Sequence, residues 1–423
     1  MKTRIFWWLL AGLVALRLIL MASVPVFEPS EARYAAISAN MARTGDFVVP
    51  RFTHNFEYQS FDGKPPLVFQ AGGVFCKVFG VCEFAVRLFP FLSAALLLAI
   101  LYYSVKRKSD DDAARLAVIV AATSTAFYAA SGVAMTDMTL ACAVAGSLLL
   151  YRSYLETRRL RYAAGIALLL GAGMITKGPI AIVLFGLPVF VDACVNRNWR
   201  AVFTWHWLAV LPLFLLVAVP WFILIERVNP GAGWYFFYNE NFMRFISHEY
   251  GDKYGAGREA FRGVSILWAL VVTLPWALVP IYKQARTATA PQWRTLTSFL
   301  PLAILAIVGF WCLTSRVLLY YLFPVIPLFA AALVEMSDRK LLSRLALPVS
   351  GLTACILSLA LIIGTFTSEK MAGKKIELSP LDNHYAYEFY HGTPSKEVLA
   401  PYREMWLLRE RMREERKEEE GTK

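Results

Sequence analysis

Glu28-Pro29-Ser30-Glu31-Ala32-Arg33-Tyr34-Ala35, followed by Thr44-Gly45-Asp46-Phe47-Val48-Val49-Pro50 and Phe61-Asp62-Gly63-Lys64-Pro65-Pro66, is the first long polar interruption in a chain otherwise built of apolar runs. Ser30 suits an N-cap, residues 31–44 include strong helix formers, and Gly45 supplies a left-handed stop, so this spacing predicts a helix of about four turns. Tyr34, Ile37 and Met41 fall at i, i+3 and i+7 on that helix. The stripe suits a helix lying in the membrane interface, because crossing the bilayer takes roughly 20 apolar residues. Glu31 and Arg33, two positions apart, diverge and form no simple helical ion pair, which leaves one of them to face a cavity. Lys64 precedes Pro65 and sits on a stiff, extended backbone. A fixed ammonium at membrane level suits a lipid phosphate.

Composition sets the class around this stretch. Of 423 residues, 57% are hydrophobic and 17% charged, and the mean hydropathy is +0.49; no ordinary soluble domain reaches that balance. The net charge of +12 does not indicate nucleic acid, because the lysines and arginines sit mainly in short loops between apolar runs and suit anionic membrane lipids instead. The chain reads as an all-α polytopic membrane protein. An uncleaved first span covers 5–22, and further spans are predicted at 84–105, 116–131, 138–151, 162–175, 179–195, 205–225, 264–282, 299–313, 317–334 and 346–366, about eleven in all. Residues 67–79 are too short to cross and read as a second juxtamembrane helix.

The basic residues Lys106–Lys108, Arg152 to Arg161, Arg197 and Arg200, Lys283 to Arg294, and Arg339 to Arg344 fall in alternate loops, which makes those loops cytoplasmic. The expectation is one membrane domain over 1–366, with a periplasmic juxtamembrane loop at 28–80, and a short polar tail at 367–423, also periplasmic. The N-terminus is then cytoplasmic. Charged residues near a membrane are expensive and commonly face a cavity or a partner. Glu28, Glu31, Arg33, Asp46, Asp62, Lys64, Asp137, Lys177, Glu240, Arg244, His248 and Arg316 collect on one side, which points to an active site at that surface; interfacial anchors and salt bridges are the alternative reading. Cys76 and Cys82 lie on the side where a disulfide is chemically permitted. No closed zinc pattern and no nucleotide-binding glycine motif occurs.

Taken in order, Glu28–Ala35, Thr44–Pro50, Lys64-Pro65-Pro66, Phe79–Leu88, Thr176-Lys177-Gly178-Pro179, Pro220-Trp221-Phe222 and Asn239–Phe245 resemble the membrane glycosyltransferases of the GT-C superfamily. The lipid A aminoarabinose transferases and the dolichyl-phosphate-mannose protein mannosyltransferases are the nearest in pattern, over roughly 5–327. The resemblance implies a GT-C-type bundle that takes a sugar from a polyprenyl-phosphate carrier and passes it to a lipid A, glycan or protein acceptor on the periplasmic side of the inner membrane. It places the lipid-phosphate cations on Arg33, Lys64, Lys177 and Arg244, with Tyr321 as a hydroxyl donor. Several cations around a monophosphate stabilise the leaving group as the glycosidic bond breaks.

The chain departs from that pattern at three positions. Ser30-Glu31 replaces an acidic pair, and the family's metal-associated acid before Lys-Pro-Pro and histidine before Arg-Phe are Gly63 and Asn241. No cofactor is otherwise implied, and a divalent metal stays an open expectation. For the general base, which removes the acceptor hydroxyl's proton as it attacks with inversion, the order is Glu31, Asp137, then Glu28. The competing class is a non-catalytic polyprenyl-phosphate binder or a transporter of lipid-linked sugar. A transporter would carry polar residues along several spans near the midplane, whereas these charges concentrate at one surface.

Overall fold

The computed structural model describes residues 3–27, 29–244, 254, 259–280, 297–367 and 384–421. In chain order its helices are α1 Thr3–Ser23, α2 Ser30–Thr44, α3 Leu67–Phe79, α4 Glu83–Lys108, α5 Asp111–Ala122, α6 Thr125–Ala130, α7 Thr136–Thr157, α8 Leu160–Lys177, α9 Ile180–Val195, α10 Trp199–Val202, α11 Trp205–Ala218 and α12 Pro220–Val228. A π-helical segment, Tyr235–Met243, precedes α13 Val264–Thr273, α14 Phe299–Cys312, α15 Val325–Met336, α16 Arg339–Thr367, α17 His384–His391 and α18 Lys396–Gly421. The strands β1 Arg51–His54 and β2 Glu57–Ser60 form one antiparallel hairpin between α2 and α3.

Six helical stretches are long and apolar enough to cross a membrane, and five shorter apolar helices accompany them among the described residues. The chain is a multi-pass membrane protein. At the centre stands α7, buried along most of its length, where Ala141, Ala143, Ala145 and Ser147 let α4 and α8 approach closely. Large apolar side chains point outward instead: Trp8 on α1 and Leu208 and Leu216 on α11 are 79%, 73% and 72% exposed. That outward face suits lipid.

Four predicted spans differ from the helices observed: that over 205–225 breaks at Val219 between α11 and α12, that over 264–282 leaves the α-helix after Thr273, and two others differ as follows. The span over 116–131 is divided into α5 and α6 at Thr123 and Ser124, whose hydroxyls donate back to the carbonyls of Ile119 and Val120, while Trp276 Nε1 donates to Thr123 Oγ1 at 3.0 Å. The span over 317–334 starts late, because a 3-10 turn at Leu319–Leu322 and then Pro324 hold off the α-helix until Val325. Cys76 and Cys82 are both free thiols.

A second, smaller core lies beside the bundle at one end. Ala32, Ala35, Ala36, Ile37, Ala39 and Met41 of α2 pack there with Phe52, Phe61 and Phe69, and with Tyr385, Ala386 and Phe389 of α17. The amphipathic stripe predicted for α2 is therefore only part of its contact surface, because its alanine faces are covered too. Gly72 and Gly73 of α3 make this possible: a Cβ at Gly72 would lie 2.6 Å from Ser38 Oγ, and one at Gly73 would lie 3.1 Å from the Ser38 carbonyl oxygen. Gly45 ends α2 in the left-handed conformation, with its N–H on the Met41 carbonyl. The expected Ser30 cap does not form, since the residue before the helix is Pro29 in a helical conformation, and no side-chain cap hydrogen bond is made there.

The charged loops separate the two ends of the bundle. At one end Lys108 Nζ meets Glu156 at 2.9 Å, Arg152 holds Glu335 with two bonds of 2.7 and 2.8 Å, and Arg339 pairs with Asp110. Asp137 at the start of α7 and Lys177 at the end of α8 pair at the opposite end.

A buried ion pair joins the second core to the bundle. Arg87 of α4 meets Glu31 of α2 through Nε–Oε1 at 2.7 Å and Nη2–Oε2 at 2.9 Å. Its remaining donors go to the carbonyls of Met21, Val24 and Pro25, just where α1 ends. Glu31 also accepts the backbone N–H groups of Phe27 at 2.9 Å and Ala134 at 3.0 Å. Both side chains are 2% exposed. Removing one partner of such a pair strands the other charge in the interior, so Arg87→Met and Glu31→Gln are each expected to destabilise the fold by about 3–5 kcal/mol. Thermal unfolding of the purified variants in detergent checks this; melting within a degree of the parent in both would show that the pair is dispensable.

Candidate active site

A cavity of about 510 Å³ opens between the second core and the bundle, lined by Arg33, Lys64, Asp137, Lys177, Glu240, Arg244 and Tyr321 among others. Each residue arrives from a different element. Arg33 comes from the first turns of α2 and Lys64 from the stiff loop after β2. Asp137 and Lys177 sit at adjoining ends of α7 and α8, Glu240 on the π-helical segment and Arg244 just after it, and Tyr321 in the turn before α15. A smaller cavity of about 80 Å³ adjoins, and it shares Lys64, Lys177, Glu240, Arg244 and Tyr321 with the larger one. The cations therefore stand where the two spaces meet.

Two carboxylates, Asp137 and Glu240, hold three of the four cations. Lys177 donates to Asp137 Oδ1, and its ammonium lies 4.2 Å from the centre of the Tyr321 ring and 5.6 Å from that of Tyr320. This is cation–π geometry, so the expected hydroxyl donor Tyr321 presents its ring face to the cation. Glu240 collects the others: Arg244 Nη1 lies 3.0 Å and Lys64 Nζ 3.5 Å from its Oε2, and Tyr235 donates to its Oε1 at 3.3 Å. The wide turn of the π-helix presents this carboxylate inward, and Asn241 donates to the Phe236 carbonyl five residues back. Burial pushes the Lys64 ammonium down to about 8, with Glu240 opposing that shift and the like charges of Arg244 and Lys177 adding to it.

Of the eight residues singled out by sequence, Arg33, Lys64, Asp137, Lys177, Arg244 and Tyr321 share the cavity wall. Glu31, ranked first as general base, does not line it. Burial would raise its carboxyl, but the Arg87 charge and hydrogen bonds, with the N–H groups of Ala134 and Phe27, outweigh burial and hold it below the usual carboxylate range. A carboxylate stabilised in that way is a poor proton acceptor. Glu28 lies outside the described residues, as does His248. Ser30, which replaces the family acid, faces the cavity. The central place of Glu240 was missed, although it was among the charges collected on this side. Its signal was a glutamate four residues before Arg244 in an aromatic segment.

The metal expectation meets a direct obstacle. A Cβ at Gly63 would lie 3.1 Å from ring atoms of both Phe61 and Tyr254, so the space an acid would occupy is filled by aromatic rings. Asn241 donates Nδ2 to the Phe236 carbonyl and offers a neutral amide oxygen where the resemblance implied a histidine. No group of three or more His, Cys, Asp or Glu residues suited to a metal occurs among the described residues. The residues present do not fit a metal at this position.

The family model described as dolichyl-phosphate-mannose-protein mannosyltransferase matches residues 63–224. An undecaprenyl phosphate-alpha-4-amino-4-deoxy-L-arabinose arabinosyl transferase from Edwardsiella ictaluri is 27% identical over 333 residues, 72% of this chain and 59% of that protein. The second such transferase of Pseudomonas fluorescens is 27% identical over 370 residues, 84% of this chain and 64% of that one. The chain thus spans less than two thirds of the length of these relatives. The crystal structure of ArnT from Cupriavidus metallidurans bound to undecaprenyl phosphate superposes with a TM-score of 0.76, at 21% identity, covering 93% of this chain and 86% of that one. The chain thus has the fold of that ArnT structure and resembles the undecaprenyl phosphate-alpha-4-amino-4-deoxy-L-arabinose arabinosyl transferases in sequence.

Proposed function

We propose that this chain transfers a sugar from a polyprenyl-phosphate carrier to a cell-envelope acceptor, with inversion, in the cavity between α2, α7 and α8. The observation that carries this reading is the convergence of Arg33, Lys64, Lys177 and Arg244 with the carboxylate of Asp137 on one cavity at one end of the bundle. The carrier phosphate displaces Glu240 and Asp137 as partners of the cations. As Lys177 turns to the phosphate, Asp137 is released to take the proton of the acceptor hydroxyl while its oxygen bonds to the anomeric carbon. The bond from that carbon to the phosphate oxygen breaks, and the electron pair leaves on the polyprenyl phosphate, where the cations stabilise it. We place this face in the periplasm, together with α17 and α18, because the basic loops gather at the other end. The protein then sits in the inner membrane, with a polyprenyl-phosphate sugar and a lipid or glycan as substrates.

Asp137→Asn keeps the shape and deletes the charge, so it is expected to lower turnover about a hundredfold to ten-thousandfold while carrier binding persists. Turnover with a polyprenyl-phosphate sugar in detergent measures this. Full activity of Asp137→Asn would remove it as the base, and a parent that binds carrier without ever turning over would favour the binder.

Carrier affinity should also depend on Lys64. A phosphate prefers the protonated ammonium, and with that group titrating near 8 the favourable form dominates below pH 8 and is lost above it. Affinity for undecaprenyl phosphate is expected to fall about tenfold from pH 7 to pH 9. Lys64→Arg, charged throughout, should flatten the profile; an unchanged slope in that variant would exclude Lys64 as its source.

The orientation is checked by labelling Tyr58→Cys on β2 and Ser395→Cys before α18 with a membrane-impermeant reagent, against the parent background. Both are expected to react in intact spheroplasts, and protection of both would reverse the topology.

A further inference from the structure

The last part of the chain, expected to be a short polar tail, enters the second core and reaches the wall of the cavity. Helix α17 lies against α2 and β1. Its Glu388 is fully buried and accepts Asn40 Nδ2 at 2.7 Å, the Thr53 N–H at 2.8 Å and Thr393 Oγ1 at 3.3 Å. Arg43, in the last turn of α2, donates to the carbonyls of Glu388 and Phe389 at 3.0 and 2.7 Å and so closes the C-terminal end of α17. Tyr390 donates to Glu83 at 2.9 Å and accepts the Val26 N–H at 3.1 Å. These bonds fix α17 on three sides.

The fixed helix presents Tyr385 to Arg33. The guanidinium carbon of Arg33 lies 4.9 Å from the centre of the Tyr385 ring and 6.0 Å from that of Phe52. Tyr385 is held in turn by its hydroxyl, 2.7 Å from His54 Nδ1. The other cations of the cavity pair with carboxylates, Lys177 with Asp137 and Lys64 and Arg244 with Glu240. Arg33 lies against the neighbouring rings of Tyr385 and Phe52, and its buried Nε has no hydrogen-bond partner among the described residues. A ring face attracts a cation without competing for its N–H donors, so a guanidinium held this way keeps its donors for an incoming anion.

We propose that α17 belongs to the donor site, with Tyr385 as a positioning residue that holds Arg33 at the cavity wall and Glu388 and Arg43 as the anchor that holds Tyr385. This rests on reading the cavity as a lipid-phosphate site. Tyr385 acts through Arg33 and touches neither carrier nor acceptor.

The full chain in detergent is tested first by its affinity for undecaprenyl phosphate without a sugar. Tyr385→Leu is expected to weaken binding about fivefold, while Tyr385→Phe, which keeps the ring, stays within about twofold. Tyr385→Leu combined with Arg33→Ala should bind no worse than Arg33→Ala alone, because the two changes remove one interaction. Equal affinities of Tyr385→Leu and Tyr385→Phe, or a double variant in which the two losses simply add, would overturn the proposal. Modification of Arg33 by phenylglyoxal, followed by peptide mass spectrometry, needs no ligand. It should run faster in Tyr385→Leu and at the parental rate in Tyr385→Phe; an unchanged rate in Tyr385→Leu refutes the positioning role whether or not carrier binds. Failure of the parent to bind undecaprenyl phosphate would sink the donor reading, while the modification rates would still decide the Arg33–Tyr385 contact.

Discussion

The Glu31–Arg87 pair is the constraint on which the two parts of this protein depend. One guanidinium satisfies three carbonyls at the end of α1 and a carboxylate on α2, and that carboxylate also takes the N–H of Ala134, two residues before α7 begins. Four elements are thereby referenced to one buried point. Neither charge could be buried alone at tolerable cost, and neither has unsatisfied capacity once they meet. The arrangement fixes the direction of α2, and with it the turn that carries Ser30 and Arg33 to the cavity.

The cavity follows a different rule. Its two carboxylates, Asp137 and Glu240, offset only part of the charge of its four cations. Lys177 rests on Asp137 and the Tyr321 ring, while Lys64 and Arg244 share Glu240. Such pairing reduces the cost of bringing several cations together in a partly buried space, where burial, with like charges adding to it, already depresses the Lys64 ammonium. At Gly63, where the resemblance implied a metal-associated acid, a Cβ would meet the rings of Phe61 and Tyr254 at 3.1 Å.

Much of this was legible in the residues and some was not, for identifiable reasons. The α2 helix and its Gly45 stop depend on local backbone preferences, and both appear as read. The cavity cations were legible because charges near a membrane stand out against apolar runs. Ser30 looked like a cap, but Pro29 already adopts a helical conformation and leaves no extended residue to make one. The hairpin passed unnoticed because its turn uses Asn55 and Phe56 at positive φ, without the glycine that normally signals it. Arg87 and Glu388 were invisible for another reason: their meaning lies in partners 56 and 348 residues away. The tail, read as short and polar, holds an aromatic helix whose apolar side packs on a core formed by α2 and its neighbours.

That last pairing has a consequence for how the protein is made. Asn40 leaves the ribosome well ahead of its partner Glu388, which follows 348 residues later. At about 5–20 residues per second, roughly 20 to 70 s separate their synthesis. Throughout that interval the nascent chain holds its early helices in the membrane with one flank of the second core uncovered. The wall that carries Arg33 closes only after α16 has been made, so completion of the site follows synthesis of α1 to α16.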